Sequence, residues 1–401
     1  MGGRDHSQER ACEAYTTAVT SPAALFRLRL PALLTALATA LLLPGCLLGT
    51  STYSYAASAD GGSSWASSPL AMLMPAPTLA DLSDATLEVP EICALTKKSA
   101  RDATRGATGK VTFKDGKATP APGSEAIDAA VTSLKEVTPS VIDGRPVAVA
   151  TINCAYGTPY ADDAIAVYDS SLSLVAAIDP QTLRDDLEGH IDDVTIDVVS
   201  ANAVTGDLVL SISQIGMYGD QPGHFVAHSG SANILYTWAR GARGYMASDA
   251  VYTIGDKKVR MPRVEDVQAF YTAVANHDDD TASKSATPEF MSALQENDAM
   301  RQTYFWGTAP SIECVLLSSS STPDAQGGGA VYFSDGRKAA FSTWLYGYHL
   351  VRDNDYQAGD MMCALGGDKG GDPGTVYRWL DVRGKEDGSF EVHNSISIPT
   401  C

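Results

Sequence analysis

Cysteine is the residue type whose chemistry can be inferred most clearly from this sequence, and the 401-residue chain contains seven cysteines. Cys93, Cys154, Cys314, Cys363 and Cys401 form no Cys-x-x-Cys pair and stand near no histidine at zinc-ligand spacing. In an oxidising compartment such cysteines pair. We expect a Cys93–Cys154 disulfide, which would close a loop worth about 4 kcal/mol on the chain-entropy account. Two of the remaining three should also pair, with Cys314 to Cys363 favoured.

Two histidines four residues apart, His224 and His228, are the other candidates for metal chemistry. A helix would bring both imidazoles to one face, where they could bind zinc. Gly223 and Gly230 flank the pair, and the surrounding pattern is typical of strands. On a strand, residues four apart are separated by about 13 Å, too far for one metal ion. We therefore predict a loop or exposed strand and no metal site.

Carboxylates occur in short runs that could hold calcium if they formed oxygen-rich loops. No run has the ligand spacing and glycine of a calcium loop, so we predict solvated turns or helix ends. The runs are residues 162–163, 192–193, 278–280 and 353–355.

A set of aromatic residues near the C-terminus could line a binding cavity or fill a core, and we favour the core. The set comprises Tyr304, Phe305, Trp306, Trp344, Tyr346, Tyr348 and Trp379.

Sequence signatures of catalysis are missing. The chain has no Gly-x-Ser-x-Gly elbow, Ser-x-x-Lys, His-Glu-x-x-His, phosphate-binding glycine loop or dinucleotide fingerprint. Because the residues of a catalytic triad come together in space and need no local motif, the missing signatures do not exclude an enzyme, although a non-enzymatic protein is favoured. We assign no catalytic residue and no cofactor.

The N-terminal segment is typical of an export signal. Arg27 and Arg29 precede an uncharged apolar run over residues 30–48. A positive flank before an apolar stretch keeps the N-terminus in the cytoplasm and directs the following chain across the membrane. The bulk of the protein is therefore expected on the extracytoplasmic face.

The end of this run, Leu43-Pro44-Gly45-Cys46, resembles the lipobox of bacterial lipoproteins. The resemblance implies a leader over residues 1–46 that is removed, and a lipid anchor on Cys46. Pro44 departs from the usual small residue at its position. Two alternatives stay open: cleavage after Ala59 by ordinary signal peptidase, and retention of residues 30–48 as an uncleaved membrane anchor.

The formal net charge of -19 constrains the partners. Such a surface repels nucleic acid, because affinity for phosphates comes from Lys and Arg. The expected partners are the membrane, through the lipid anchor, and an envelope protein or a small ligand.

Composition and periodicity divide the exported part. Residues 47–88 are rich in Ser, Ala and Thr, which favours a flexible tether. Residues 89–262 contain short Val- and Ile-rich segments between turn residues, which predict a mainly antiparallel β domain of sandwich or barrel type. We expect one short helix there, after Ser124, with Val131 and Leu134 at helical spacing.

Residues 263–401 begin with helical patterns and continue as strands. The segment after Pro262 has one apolar helical face, and Thr287-Pro288-Glu289 is a helix start. Strands are predicted from Tyr304 onward, closed by a hairpin over residues 376–396. The fold class is therefore α+β: a mainly antiparallel β domain followed by helices on an antiparallel sheet.

The segments VEDVQAFYTAVANHDDDTAS and TVYRWLDVRGKEDGSFEV resemble the first helix and the final hairpin of the nuclear transport factor two family, also grouped as cystatin-like. The resemblance implies a cone-shaped domain with helices on a curved sheet. Catalytic members of that family carry an acid, a histidine or a tyrosine at the cone mouth, and no motif transfers such a residue here. The sequence thus favours a lipid-anchored, ligand- or partner-binding protein at the cell envelope. The alternative is an extracytoplasmic hydrolase or isomerase that uses the cone cavity.

Overall fold

The fold is described from a computed structural model. It describes residues 74–95, 106–120, 130–155, 161–187, 191–223, 226–305, 311–323, 328–333, 338–340, 348–351, 356–365 and 376–399. The leader, Cys12, Cys46 and Cys401 lie outside these residues.

The folded body begins earlier in the chain than the sequence predicts. Helix α1 (Leu79–Ser83) is capped by Thr78, and strand β1 (Thr86–Pro90) pairs with β2 (Thr108–Thr112). Leu82 in α1 and Leu87 in β1 have no exposed surface. The predicted tether to residue 88 is therefore too long, because residues 78–88 carry a helix cap and two core leucines that its Ser- and Ala-rich composition conceals.

The first large sheet is antiparallel, with strand order β3-β4-β5-β6-β7. Its strands are β3 (Lys117–Ala118), β4 (Val131–Ile142), β5 (Arg145–Ala155), β6 (Ala161–Asp169) and β7 (Leu174–Ile178). The predicted helix is wrong where it can be compared, since Val131 and Leu134 lie in β4. A run of Val, Thr, Ser and Leu pairs well across a sheet, and pairing with β5 outweighs a weak helical spacing.

The second large sheet follows helix α2 (Pro180–Asp186), which the sequence pattern did not reveal. Its order is β12-β11-β10-β9-β8, again antiparallel. The strands are β8 (Ile191–Ala201), β9 (Leu208–Ile215), β10 (Gly230–Ala239), β11 (Gly244–Ile254) and β12 (Lys257–Arg260). Strands β11 and β12 are joined by a turn at Gly255, whose φ is +57°.

The two sheets pack against each other through one apolar core. Val149 and Val167 of the first sheet and Leu210 and Tyr236 of the second belong to the same buried cluster. The β part of the chain is thus a sandwich, one of the two predicted forms, because each sheet has one apolar face to bury.

Four helices come next, where the sequence predicts two, one after Pro262 and one from Thr287. They are α3 (Val264–Ala275), α4 (Asp279–Ala282), α5 (Pro288–Glu296) and α6 (Asp298–Tyr304). Thr287 caps α5 through its hydroxyl, which confirms the predicted start. The strand predicted to begin at Tyr304 is not present, because Tyr304 ends α6.

The third large sheet is antiparallel with order β13-β17-β18-β19-β16. Its strands are β13 (Ile312–Leu316), β16 (Tyr348–His349), β17 (Asp360–Leu365), β18 (Val376–Gly384) and β19 (Phe390–Pro399). The predicted hairpin is confirmed as β18 and β19. A small ladder of β14 (Ala330–Tyr332) and β15 (Lys338–Ala340) accompanies the sheet.

The arrangement is α+β with antiparallel sheets, the predicted fold class. One apolar cluster runs from the sandwich into the helices and the third sheet, including Tyr236, Phe270 and Val392. The boundary at residue 262 and the cone likeness stay predictions.

Candidate functional site

Both disulfides expected from the sequence are present. Cys93 and Cys154 have Cα atoms 4.9 Å apart and join the turn after β1 to β5. Cys314 and Cys363 are directly opposite in β13 and β17, with Cα atoms 3.9 Å apart. All four are buried, so they act as crosslinks of the core and offer no reactive thiol.

Buried polar side chains gather where the second sheet meets the start of the third. We call residues 214–220, 226–230 and 317–322 the junction. Backbone hydrogen bonds hold its strands together: Tyr218 N donates to Leu317 O at 3.1 Å, and Ser319 N donates to Gly216 O at 3.1 Å. Hydroxyl-bearing residues of one serine run, including Ser319, are almost wholly buried here. Buried polar groups at such a meeting point are candidates for ligand contact.

Gln214 forms a backbone irregularity within the junction. In the β9–β10 pairing, Ile215 is opposite Gly230 and Ser213 is opposite Ser231, so Gln214 has no cross-strand partner. It is a bulge residue with φ of +64°, a left-handed conformation that a non-glycine residue adopts at a cost. The bulge turns its carbonyl away from the ladder.

His228 contacts both the side-chain and the backbone oxygen of Gln214, the bulge residue. Its backbone N–H donates to Gln214 Oε1 at 3.1 Å, and its ring Nδ1 lies 3.2 Å from Gln214 O. Because a carbonyl only accepts, we infer that Nδ1 carries the proton and that Nε2 presents a lone pair. The side chain is 9% exposed, and its Nε2 has no hydrogen-bond partner among the described residues.

Gly216 brings a second polar side chain to the same place. A Cβ on Gly216 would collide with Ser319 Oγ and would lie 3.5 Å from His228 Cε1. The serine and the imidazole therefore converge on the face of Gly216 that has no side chain. Any side chain at position 216 would displace the Ser319 hydroxyl, so glycine is required for the serine and the imidazole to keep these positions.

The chemistry available to this site is hydrogen bonding. The Nε2 lone pair of His228 can accept from an N–H or O–H group of a ligand, and the Ser319 hydroxyl can donate or accept. A histidine fixed through Nδ1 is also the arrangement of metal-ligating and general-base histidines. Within the described part of the chain, no three His, Cys, Asp or Glu side chains are placed to hold a metal ion. His224 lies outside that part, so the predicted relation of the two histidines stays a prediction.

The carboxylate pair Asp162 and Asp163 corrects an expectation. Both are buried rather than solvated. Asp162 accepts from Val194 N at 2.8 Å and contacts Arg184 at 3.2 Å, while Asp163 accepts from Ile196 N at 2.9 Å and pairs with Lys135 at 2.8 Å. The pair thus replaces a missing strand neighbour for β8 and joins the two sandwich sheets.

The run at residues 278–280 ends helices, as predicted. Asp278 caps α4, and Asp279 forms an ion pair with the buried Arg301 at 2.6 Å. Hydrogen bonds from Arg301 hold the pKa of Asp279 below its usual value. Residues 192–193 lie within strand β8, so the predicted turn or helix end is wrong there, because the Val- and Ile-rich segment around them pairs with β9. Their side chains and the run at residues 353–355 lie outside the described residues.

Two members of the aromatic set can be placed, and both are core. Phe305 packs between Phe270, Phe290 and Tyr271, with ring centroids 5.3–6.4 Å apart. Trp379 is buried on the opposite face of the third sheet. The side chains of Tyr304, Trp306, Trp344, Tyr346 and Tyr348 lie outside the described residues.

Comparison with protein families, with curated proteins and with solved structures yields no match to this chain. Among the residues described above, no helix has the length and apolar character needed to cross a bilayer.

Proposed function

We propose that this chain is an exported, lipid-anchored protein whose folded body binds a ligand or partner on the extracytoplasmic face. The leader, with its lipobox-like end at Cys46, supports the anchor. The acidic composition supports a surface that stays soluble outside the cell and does not bind nucleic acid.

The observation that carries the proposal is the pair of buried disulfides, Cys93–Cys154 and Cys314–Cys363. Disulfides form and persist in secreted and extracytoplasmic proteins, whereas cytosolic reductants keep most thiols free. Crosslinks in both the sandwich and the third sheet support export of the whole body.

The anchor is tested by Cys46→Ala in the full chain, with the protein followed by fractionation and surface proteolysis. We expect wild type in the membrane fraction and accessible from outside, and the variant released or retained as an unprocessed precursor. Cys12→Ala is the matched control and should fractionate as wild type. Unchanged fractionation and processing of Cys46→Ala would contradict the lipid anchor.

We place the binding contact at the junction, through an N–H or O–H group that donates to His228 Nε2. The support is the buried lone pair of His228 and the neighbouring Ser319 hydroxyl. An unpaired buried acceptor costs about 1–3 kcal/mol, which a ligand donor would recover. The enzymatic alternative in the cone gains no support, because aromatic rings such as Phe270 and Phe305 fill the described space between helices and sheet.

A photocrosslinking amino acid at Val226, which is 37% exposed and two residues from His228, tests this contact on whole cells. We expect a discrete adduct at position 226 that is lost when His228→Phe is added. The matched probe at Val204, on the β8–β9 turn, should give no such adduct. Equal adducts at both positions, or an adduct that survives His228→Phe, would remove the site from the proposal.

A further inference from the structure

His393 is the inserted residue of a second β-bulge. In the β18–β19 pairing, Asp381 is opposite Asn394 and Val382 is opposite Val392, so His393 has no cross-strand partner. Its side chain is 18% exposed, and its Nε2 is buried without a hydrogen bond to any described residue. Glu391 Oε2 lies 3.7 Å from Nε2, too far for a hydrogen bond.

Charged groups face His393 from every element around it. Arg383 of β18 is the cation, and Asp360 of β17 holds it by two bonds of 2.6 and 2.9 Å. Glu391 of β19 and Glu289 of α5 are the other acids. Burial first and Arg383 second lower the pKa of His393, and these effects exceed the opposing effect of the three carboxylates.

The bulge also receives the N-terminus of α5. Thr287 N donates to Val392 O at 3.0 Å, and Ala286 pairs with Val392 in an isolated bridge. The positive end of the α5 dipole therefore lies beside residue 393 and disfavours a cation there. Phe290, one turn into α5, is fully buried in the core that this docking closes.

We propose that His393 is an acid-sensitive latch that holds the start of α5 on β19 while its imidazole is neutral and releases it on protonation. Nε2 would take the proton from solvent, creating a largely buried cation next to Arg383 and to the helix N-terminus. Movement of Thr287 and Ala286 away from Val392 would open the bulge and allow the imidazolium to hydrate. An extracytoplasmic protein experiences external pH directly, so such a latch would respond to acidification.

The sign of the effect follows from linkage. The unfolded chain protonates histidine at about pH 6.5, and the folded protein does so only at lower pH. The latch therefore stabilises the fold fully above the pH at which the unfolded chain protonates histidine. Its contribution is lost as the pH falls from that value to the lower pH at which the folded protein protonates His393.

Hydrogen exchange of the full chain, corrected for intrinsic rates, tests the latch at the amides of residues 287–290. Between pH 7.5 and pH 5 we expect protection there to fall severalfold in wild type and to stay constant in His393→Gln. The control His277→Gln removes an imidazole that is 55% exposed and should behave as wild type.

An equal acid-induced fall in His393→Gln, or no fall in wild type, would overturn the latch. If His393→Gln does not fold, NMR titration of the wild-type imidazole decides. A His393 that titrates at or above the unfolded value would overturn the proposal, and one that titrates below it, with Thr287 shifting in step, would support it.

Discussion

At the scale of single residues, two β-bulges put polar groups where a regular sheet would bury apolar ones. Gln214 opens the β9–β10 ladder and His393 opens the β18–β19 ladder, and each bulge leaves an imidazole nitrogen buried without a hydrogen-bond partner in the described part of the chain. Bulges are found preferentially beside functional sites because they redirect a side chain without breaking the sheet. Neither could be predicted from sequence, since an inserted residue shifts the phase of the alternation by one position, and such a shift within one short strand does not identify a bulge.

Gly216 provides a test of the junction at this scale. Gly216→Ala adds a methyl that must displace Ser319 Oγ, so we expect a loss of about 1–3 kcal/mol in the free energy of unfolding. Urea denaturation measures it. Gly241→Ala, at a position with nothing near the added Cβ, should change stability far less.

A double-mutant cycle tests the contact directly, because Ser319→Gly removes the side chain that the added methyl would meet. Adding Ser319→Gly to Gly216→Ala should recover part of the loss, after correction for Ser319→Gly alone. Strict additivity of the two changes would show that the methyl and the Ser319 side chain do not meet.

At the scale of elements, the helices and most strands follow from periodicity and caps. Thr287-Pro288-Glu289 starts α5 because the threonine hydroxyl satisfies an early amide and proline needs no partner there. The segment at Val131 was misread, since Val131 and Leu134 are three apart, a spacing that fits a helix and does not exclude a strand. The strand predicted at Tyr304 is wrong because aromatic residues favour strands, whereas here Phe305 N donates to Arg301 O, as in a helical turn, and the Phe305 ring packs on Phe270.

The seam between the sandwich sheets yields a prediction at the element scale. Asp162→Ala leaves the Val194 amide and Arg184 without this carboxylate, and we expect a loss of about 1–3 kcal/mol in the free energy of unfolding. Asp162→Asn keeps an acceptor for Val194 and should lose less. Chemical denaturation of both, with the exposed-turn variant Asp256→Ala as control, measures the difference.

Equal stability of Asp162→Ala and Asp256→Ala would contradict a structural role for the seam. This role could not be predicted from the sequence. A pair of adjacent aspartates is normally solvated, and only the tertiary placement of β8 beside the start of β6 brings the unpaired amides of Val194 and Ile196 to these carboxylates.

At the scale of the whole molecule, the cysteines carried the most information. An export signal predicts that the cysteines pair but does not decide which of the five combine, so Cys93–Cys154 and Cys314–Cys363 are best guesses that the structure confirms, with both pairs in the core. The junction could not be foreseen in the same way. It depends on His228 and Ser319, about ninety residues apart, meeting over Gly216.

Across these scales, we propose that a leader exports the chain, that disulfides lock the sandwich and the third sheet, and that the junction faces the extracytoplasmic space. The central claim of this proposal has two parts, lipid attachment at Cys46 and oxidation of the body. Each contributes a separate change in mass, so one measurement reads both.

The intact mass of native protein extracted from membranes, alkylated without reduction, tests this claim most directly. We expect a chain that begins at a diacylated Cys46, with alkylation of one thiol at most, because four of the five cysteines that follow Cys46 are paired. A chain that begins at Asp60, or one that retains the leader, would contradict the lipid anchor. Alkylation at Cys93, Cys154, Cys314 or Cys363 would contradict the oxidised body.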